Sequence, residues 1–283
     1  MYALGGGLGH TLRGSALASA LTDAGTPARV LVRSDRVWLA RELGADATAV
    51  ERTADPTRLR ASVESALRGC AHLIVDALPS GILGELSALP RGVRTTLLAR
   101  LHHPRALPTV VAALGRYDRV VDLEPELEWL PQGAVPLGPV VLPSRELDDG
   151  APKLDVLVIA DDDALARFGR RLARRLLARG AVARLWHGER SRLDLGRIRP
   201  RVVVGPAGYH LTYTARALGI PHLAVPRPRR FDDQHRRARA VAELCHDPEA
   251  LEARARELFS SSRPGRQASP YHHPADLARA VLA

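Results

Sequence analysis

The chain has 283 residues, 46% of them hydrophobic, enough for ordinary cores and, at roughly 150 residues per domain, for two of them. Its formal charge is +10, yet Lys153 is the only lysine among 41 basic residues and asparagine is absent, so GC-rich coding accounts for part of the arginine excess. No apolar run approaches the ~20 residues of a membrane span, no secretory leader is visible, and Cys70 and Cys245 lack metal-ligand spacing, which points to reduced thiols in a cytoplasmic setting. Aromatics at 4% and the lack of a zinc-finger or RNA-recognition motif argue against nucleic acid as a partner.

Strands and helices alternate from the start. Met1–Leu4 is expected as a strand, unusually short, as it would be if the chain began inside it. Gly5-Gly6-Gly7-Leu8-Gly9-His10 then opens a helix with Leu12, Ala16, Leu17, Ala20 and Leu21 on one face, stopped by Gly25 and Pro27. Ala28–Val32 is a strand, Ser34 caps a helix through Leu43, Thr48–Glu51 is a short strand and Pro56–Leu67 a helix. His72–Asp76 is an apolar run suited to a buried parallel strand, and Val93–Leu98 and Arg119–Leu123 continue the series. Pro131–Pro152, with its prolines, glycines and polar tail, is the expected linker.

The second series begins with strand Leu154–Ala160 and a helix capped within Asp161–Asp163 that runs to about Ala178 before Gly180. Strands follow at Val182–Trp186, Val202–Val204 and His222–Val225, with helices over Thr212–Leu218, Asp247–Phe259 and Pro274–Leu282. Two βα series imply an α/β protein of two Rossmann-like, doubly wound domains facing a cleft: residues 1–135, a linker at 136–152, and residues 153–283. Residues 1–150 carry 16 basic and 17 acidic groups, residues 151–283 carry 25 and 14, so an attraction for phosphate-bearing ligands or an anionic membrane surface belongs to the second half.

The opening glycine loop is an anion-friendly helix start, and His10 adds a side chain that exchanges protons near neutral pH. It is not a dinucleotide fingerprint: Gly5-x-Gly7 reaches His10, Gly7-x-Gly9 reaches Leu12, and Asp35 starts a helix rather than ending a strand. A second motif runs from Gly205-Pro206-Ala207-Gly208-Tyr209-His210 through a helix to Gly219-Ile220-Pro221, a strand, and Pro226-Arg227-Pro228-Arg229-Arg230-Phe231-Asp232-Asp233-Gln234. Small residues at 205–208 let a ligand meet backbone, and Asp233 and Gln234 supply hydroxyl-directed hydrogen bonds of the kind a sugar needs.

Together these two motifs resemble the GT-B glycosyltransferases, above all those that add N-acetylglucosamine to the lipid-linked peptidoglycan precursor, together with related predicted bacterial glycosyltransferases. The run Ile74–Leu86 resembles the latter group. The resemblance implies an acceptor-side N-terminal domain, a C-terminal domain holding a nucleotide-diphosphate sugar, inverting transfer, and no metal or other cofactor. It places Gly7, Gly9, His10 and Arg13 in the cleft, with His10 as general base or as a stabiliser of the departing phosphate. Gly208, Tyr209, His210, Thr214, Arg230, Asp233 and Gln234 fall on the donor side, with Arg13 or Arg230 available to the diphosphate.

Two positions depart from that pattern. Thr214 stands where the family often has a ribose-binding glutamate, and Asp161-Asp162-Asp163 stands where a Gly/Ser-rich phosphate loop is usual. Three carboxylates at a helix start would repel a diphosphate, so an altered or lost activity is also open. A nucleotide-sugar hydrolase is a second reading, because some share Gly-x-Gly-His-x-x-Arg, matched by Gly7, Gly9, His10 and Arg13. A non-catalytic ligand- or protein-binding homologue is a third. Among lesser features, His102-His103 and His272-His273 are expected as exposed loop and tail residues, and Asp76 and Glu85 as strand-end caps or cleft groups. Arg167, Arg170, Arg171, Arg174, Arg175 and Arg179 form a solvated helix face or a contact for anionic lipid, and Cys245-His246-Asp247 is a helix boundary.

Overall fold

The computed structural model describes residues 1–125, 127–142, 154–187, 193–245, 247–261 and 271–283. The expected linker therefore lies outside the described residues from 143 onward, as does His246. The chain divides into two compact units, Met1–Leu142 with His272–Ala283, and Pro143–Tyr271.

The first unit contains α1 (Leu8–Asp23), β1 (Arg29–Arg33), α2 (Val37–Glu42), β2 (Asp46–Val50), α3 (Pro56–Ala66), β3 (His72–Asp76), β4 (Arg94–Ala99), α4 (Leu107–Leu114), β5 (Arg119–Asp122) and β6 (Val135–Pro136). Met1–Leu4 is extended and sits between β1 and β3: Tyr2 bridges Leu31 on one side and Val75 on the other, both in parallel. The sheet therefore runs β2, β1, Met1–Leu4, β3, β4, β5, β6, all parallel. Its order reverses at Met1–Leu4 and β3, and in open α/β sheets ligands bind off the carboxyl ends of the strands at such a point. Tyr2, Leu4, Leu31, Leu73, Val75 and Leu97 form the centre of its core.

The second unit contains β7 (Leu154–Ala160), α5 (Asp163–Leu177), β8 (Ala183–His187), α6 (Leu195–Ile198), β9 (Pro200–Gly205), α7 (Tyr209–Ala217), β10 (His222–Ala224), α8 (Gln234–Val241), β11 (Glu243–Leu244) and α9 (Pro248–Ser260). Its parallel sheet runs β11, β10, β9, β7, β8, so the order reverses between β7 and β9. On α5, Leu165, Leu172 and Leu176 are buried while the five arginines at 167, 170, 171, 174 and 175, and Arg179 just beyond the helix, are exposed. Arg175 and Arg179 pair with Glu252 of α9. Among the described residues no helix is long and apolar enough to cross a membrane.

The chain's last helix, α10 (Pro274–Leu282), corrects the expected domain boundary. It packs on α1 in the first unit rather than closing the second. Leu277, Ala278 and Val281 are buried there, and Arg119 Nη1 donates to the Ala280 carbonyl at 2.7 Å. His272 and His273 are not tail residues. The His272 main chain bonds to Pro139 and Val141, and His273 caps α10 in a reciprocal box with Asp276.

Candidate active site

In the first unit the glycine loop leaves Met1–Leu4 at the reversal point and delivers His10 into the first turn of α1. Gly7 is the N-cap residue, and no side chain caps the helix or places an acid in its first turn. The space over Gly6 and Gly7 is open, whereas a side chain on Gly5 would overlap the His10 imidazole. Gly5 is thus needed for the close approach of ring to backbone, while Gly9 is simply half-buried within α1.

Asp76, at the carboxyl end of β3, is the organising group. Its Oδ2 lies 2.6 Å from His10 Nδ1. Arg13 grips both carboxylate oxygens, Nε to Oδ1 at 2.8 Å and Nη2 to Oδ2 at 2.7 Å. Arg100, just beyond β4, places Nη2 3.1 Å from His10 Nε2. His10, Arg13, Asp76 and Arg100 are all less than 10% exposed. Burial alone would raise the Asp76 carboxyl; the Arg13 guanidinium, then His10, outweighs it and holds Asp76 well below the usual carboxylate range. Burial lowers His10, Asp76 pulls it back and Arg100 pushes it down again, with a net fall below the ordinary histidine value. The imidazole is therefore neutral near pH 7, the state a general base requires.

The other expected groups of this unit separate. Glu85 accepts from the Ile82 and Leu83 amides and from the Tyr2 hydroxyl, so it holds the Pro79–Gly84 loop together. His102 is buried edge-on against Trp129 instead of exposed. His103 Nδ1 accepts from the Arg105 amide.

In the second unit the loops after β7, β9 and β10 meet at the reversal point. Gly208 is the N-cap of α7, with no capping side chain and open space over it. Asp161 pairs with Arg229, and Asp162 Oδ2 accepts from Arg227 Nε and Nη2 at 3.1 and 2.8 Å. Asp162 Oδ1 also caps α5 through the Leu165 amide. That amide bond, aided by Arg227, keeps the Asp162 carboxyl below its ordinary value. Three bare carboxylates were expected; two arginines offset two of them.

Asp233 is the N-cap of α8, whose existence the sequence did not suggest, and Oδ1 accepts from the Arg236 amide. Gln234 is buried, with Oε1 accepting from the Arg227 amide at 3.0 Å. Arg237, unanticipated and 1% exposed, ties the site together: Nη1 donates to the Ala207 carbonyl at 2.9 Å and Nη2 to Asp232 at 2.8 Å. Tyr209 is buried against Tyr213, its ring 6.0 Å from the Arg237 guanidinium, so its side chain packs inward. Arg230 lies exposed over Phe231, His210 is half-buried, and the Thr214 hydroxyl is buried without a hydrogen-bond partner. Among the described residues no three His, Cys, Asp or Glu side chains come together as metal ligands.

No protein-family model and no curated protein matches the chain. Solved structures do. The glycotransferase of kitacinnamycin superposes with a TM-score of 0.65 at 13% identity, over 98% of this chain and 96% of the other. MurG of Acinetobacter baumannii gives 0.63 at 14%, over 100% and 98%. Spinosyn rhamnosyltransferase SpnG complexed with thymidine diphosphate gives 0.60 at 16%, over 97% of each chain. The chain has the GT-B fold. In GT-B terms the residues that sequence reasoning missed are Asp76 in its role as partner to His10, Arg100, Arg227, Arg229 and Arg237. Of these, Asp76 carried a signal as a possible cleft group at a strand end, and Arg227 and Arg229 as basic residues in the loop already singled out.

Proposed function

We propose that the protein is an inverting glycosyltransferase that moves a sugar from a nucleoside diphosphate donor to a hydroxyl acceptor. The observation that carries this is the buried His10–Asp76 pair at the reversal point of the first sheet, on a GT-B fold. His10 Nε2 takes the acceptor proton while Asp76 stabilises the imidazolium that forms. The acceptor oxygen attacks the anomeric carbon on the face opposite the diphosphate. The bond from that carbon to the phosphate oxygen breaks, and its electron pair leaves on the diphosphate.

In this reading the donor belongs to the second unit. The α7 N-terminus at Gly208 meets a phosphate, and Arg227, Arg229 and Arg230 supply the positive charge in place of a metal. With Asp233 Oδ1 used as a cap, sugar contact falls to its other oxygen and to Gln234. SpnG, of the same fold, has been solved with thymidine diphosphate and with the spinosyn aglycone, which supports the pairing of a nucleotide with a separate acceptor.

The test is calorimetric titration with thymidine and uridine diphosphates, followed by incubation with a panel of nucleotide sugars. Binding of one diphosphate, and acceptor-dependent turnover that His10→Ala abolishes, are expected. If neither diphosphate binds and no nucleotide sugar is consumed, the proposal fails. Sugar release at full rate with no acceptor marks a hydrolase instead.

A further inference from the structure

The base identified above has both ring nitrogens engaged. A guanidinium carries donors only, so the 3.1 Å contact from Arg100 Nη2 to His10 Nε2 requires the lone pair on Nε2. The ring proton is then on Nδ1, facing Asp76 Oδ2 at 2.6 Å. With His10 and Arg100 each 7% exposed, the guanidinium fills the place where a water would otherwise sit on Nε2.

The arginine is mounted on fixed backbone. Asp76 is paired with Leu98 across β3 and β4, two residues before Arg100. The Leu101 amide donates to Glu124 Oε2 at 2.6 Å, and His102 packs on Trp129 with ring centroids 5.6 Å apart. Clearing Nε2 therefore takes a rotation of the Arg100 side chain and no movement of the strand.

We propose that Arg100 guards the base: it holds His10 Nε2 until an acceptor hydroxyl displaces it, and so favours transfer over hydrolysis of the donor. The first half rests on the contact alone, and the second rests on the glycosyltransferase reading. When the guard is displaced, the hydroxyl proton passes to Nε2 and the oxygen to the anomeric carbon. Without it, water takes the same position and yields free sugar and nucleoside diphosphate. Arg100 is a positioning residue, acting through His10.

Carbethoxylation by diethyl pyrocarbonate reads imidazole access without any substrate. In Arg100→Met, His10 is expected to label at least ~10-fold faster than in the wild type. His102 and His222, both buried, serve as internal controls and stay slow, and Arg100→Lys returns His10 toward the wild-type rate. Equal His10 rates in wild type and Arg100→Met overturn the proposal, and so does acceleration of all three histidines together. Nitrogen-15 spectra of the unmodified protein give a second check that needs no variant: the His10 proton is expected on Nδ1, and a proton on Nε2 overturns the assignment. With nucleotide sugars and no acceptor, Arg100→Met is expected to release diphosphate several-fold faster than the wild type. If the wild type uses a donor and the variant hydrolyses it no faster, the guard role falls. If neither protein consumes any donor while the labelling contrast holds, the glycosyltransferase reading falls and the covering of Nε2 stands.

Discussion

Replacing Asp76 with asparagine keeps the shape of the side chain and removes its charge. Arg13, 4% exposed and bonded to both carboxylate oxygens, would then lose the carboxylate that pairs with it. Breaking a buried pair from one side costs about 3–5 kcal/mol, against a total of about 5–15 kcal/mol for a typical domain. For a unit of this size, at ~2–4 °C per kcal/mol, the melting point should fall by about 6–20 °C. Calorimetry on the full chain reads this, with urea titration as a second measure. The double variant Arg13→Met with Asp76→Asn removes the buried guanidinium as well and should recover at least half of the loss, a non-additivity expected of partners in contact. A fall of under ~1 kcal/mol in Asp76→Asn, or a double variant that loses the sum of the two single losses, would refute the claim that Asp76 exists to balance Arg13 and His10. Because the folded carboxyl is held low, its contribution is present above the unfolded value of 3.8 and is lost only as pH falls well below it.

Other outcomes can be checked alongside. Gly5→Ala drives a methyl into a ring fixed at both nitrogens, and should cost ~1–3 kcal/mol and displace the His10 signals in nitrogen-15 spectra. Burial lowers His222 to about 4 from 6.5, so the folded state disfavours its proton. The stability it supports is full above pH 6.5 and falls by about 3 kcal/mol between there and pH 4. In urea titrations the stability difference between the wild type and His222→Leu should change by that amount across the window, and parallel stability–pH curves would disprove the assignment. Asp161→Ser with Asp162→Ser keeps a competent cap on α5 and frees Arg227 and Arg229. Calorimetric affinity for thymidine diphosphate should rise about 10-fold, the effect of roughly 1.4 kcal/mol. A drop would mean that the aspartates aim the arginines and do not compete for them.

The sequence reveals most where a signal is local. The parallel strands at His72–Asp76 and Leu154–Ala160, the caps at Asp162 and Asp247, and the glycine loop ahead of α1 follow from runs and spacings of a few residues. It reveals least where partners are distant in the chain. Asp76 reads as one more strand-end acid until Arg13, 63 residues before it, arrives on the other side. Asp161 and Asp162 read as repulsive until the loop 65 to 68 residues later brings Arg229 and Arg227. Apart from the single-turn α6, the missed helices have a different cause: α4 carries paired valines after Pro108, and α8 is a polar octet, Gln234–Val241. The one clue to α8 was Asp233, read as a sugar ligand because a capping aspartate and a hydroxyl-binding one look the same in sequence.

The return of α10 to the first unit makes that unit discontinuous, with Pro143–Tyr271 spliced into it like an insert. During synthesis at ~5–20 residues per second, α1 waits roughly 13–50 s for the helix that covers it. By its later part the residues of the sheet, Met1 to Pro136, have all been made, but the apolar seat of Leu277, Ala278 and Val281 is open. The second unit, whose residues are contiguous, has no such delay. A fragment ending at Leu142 would expose the same seat permanently, so the natural place to divide this protein is around the insert, with the two flanking pieces rejoined.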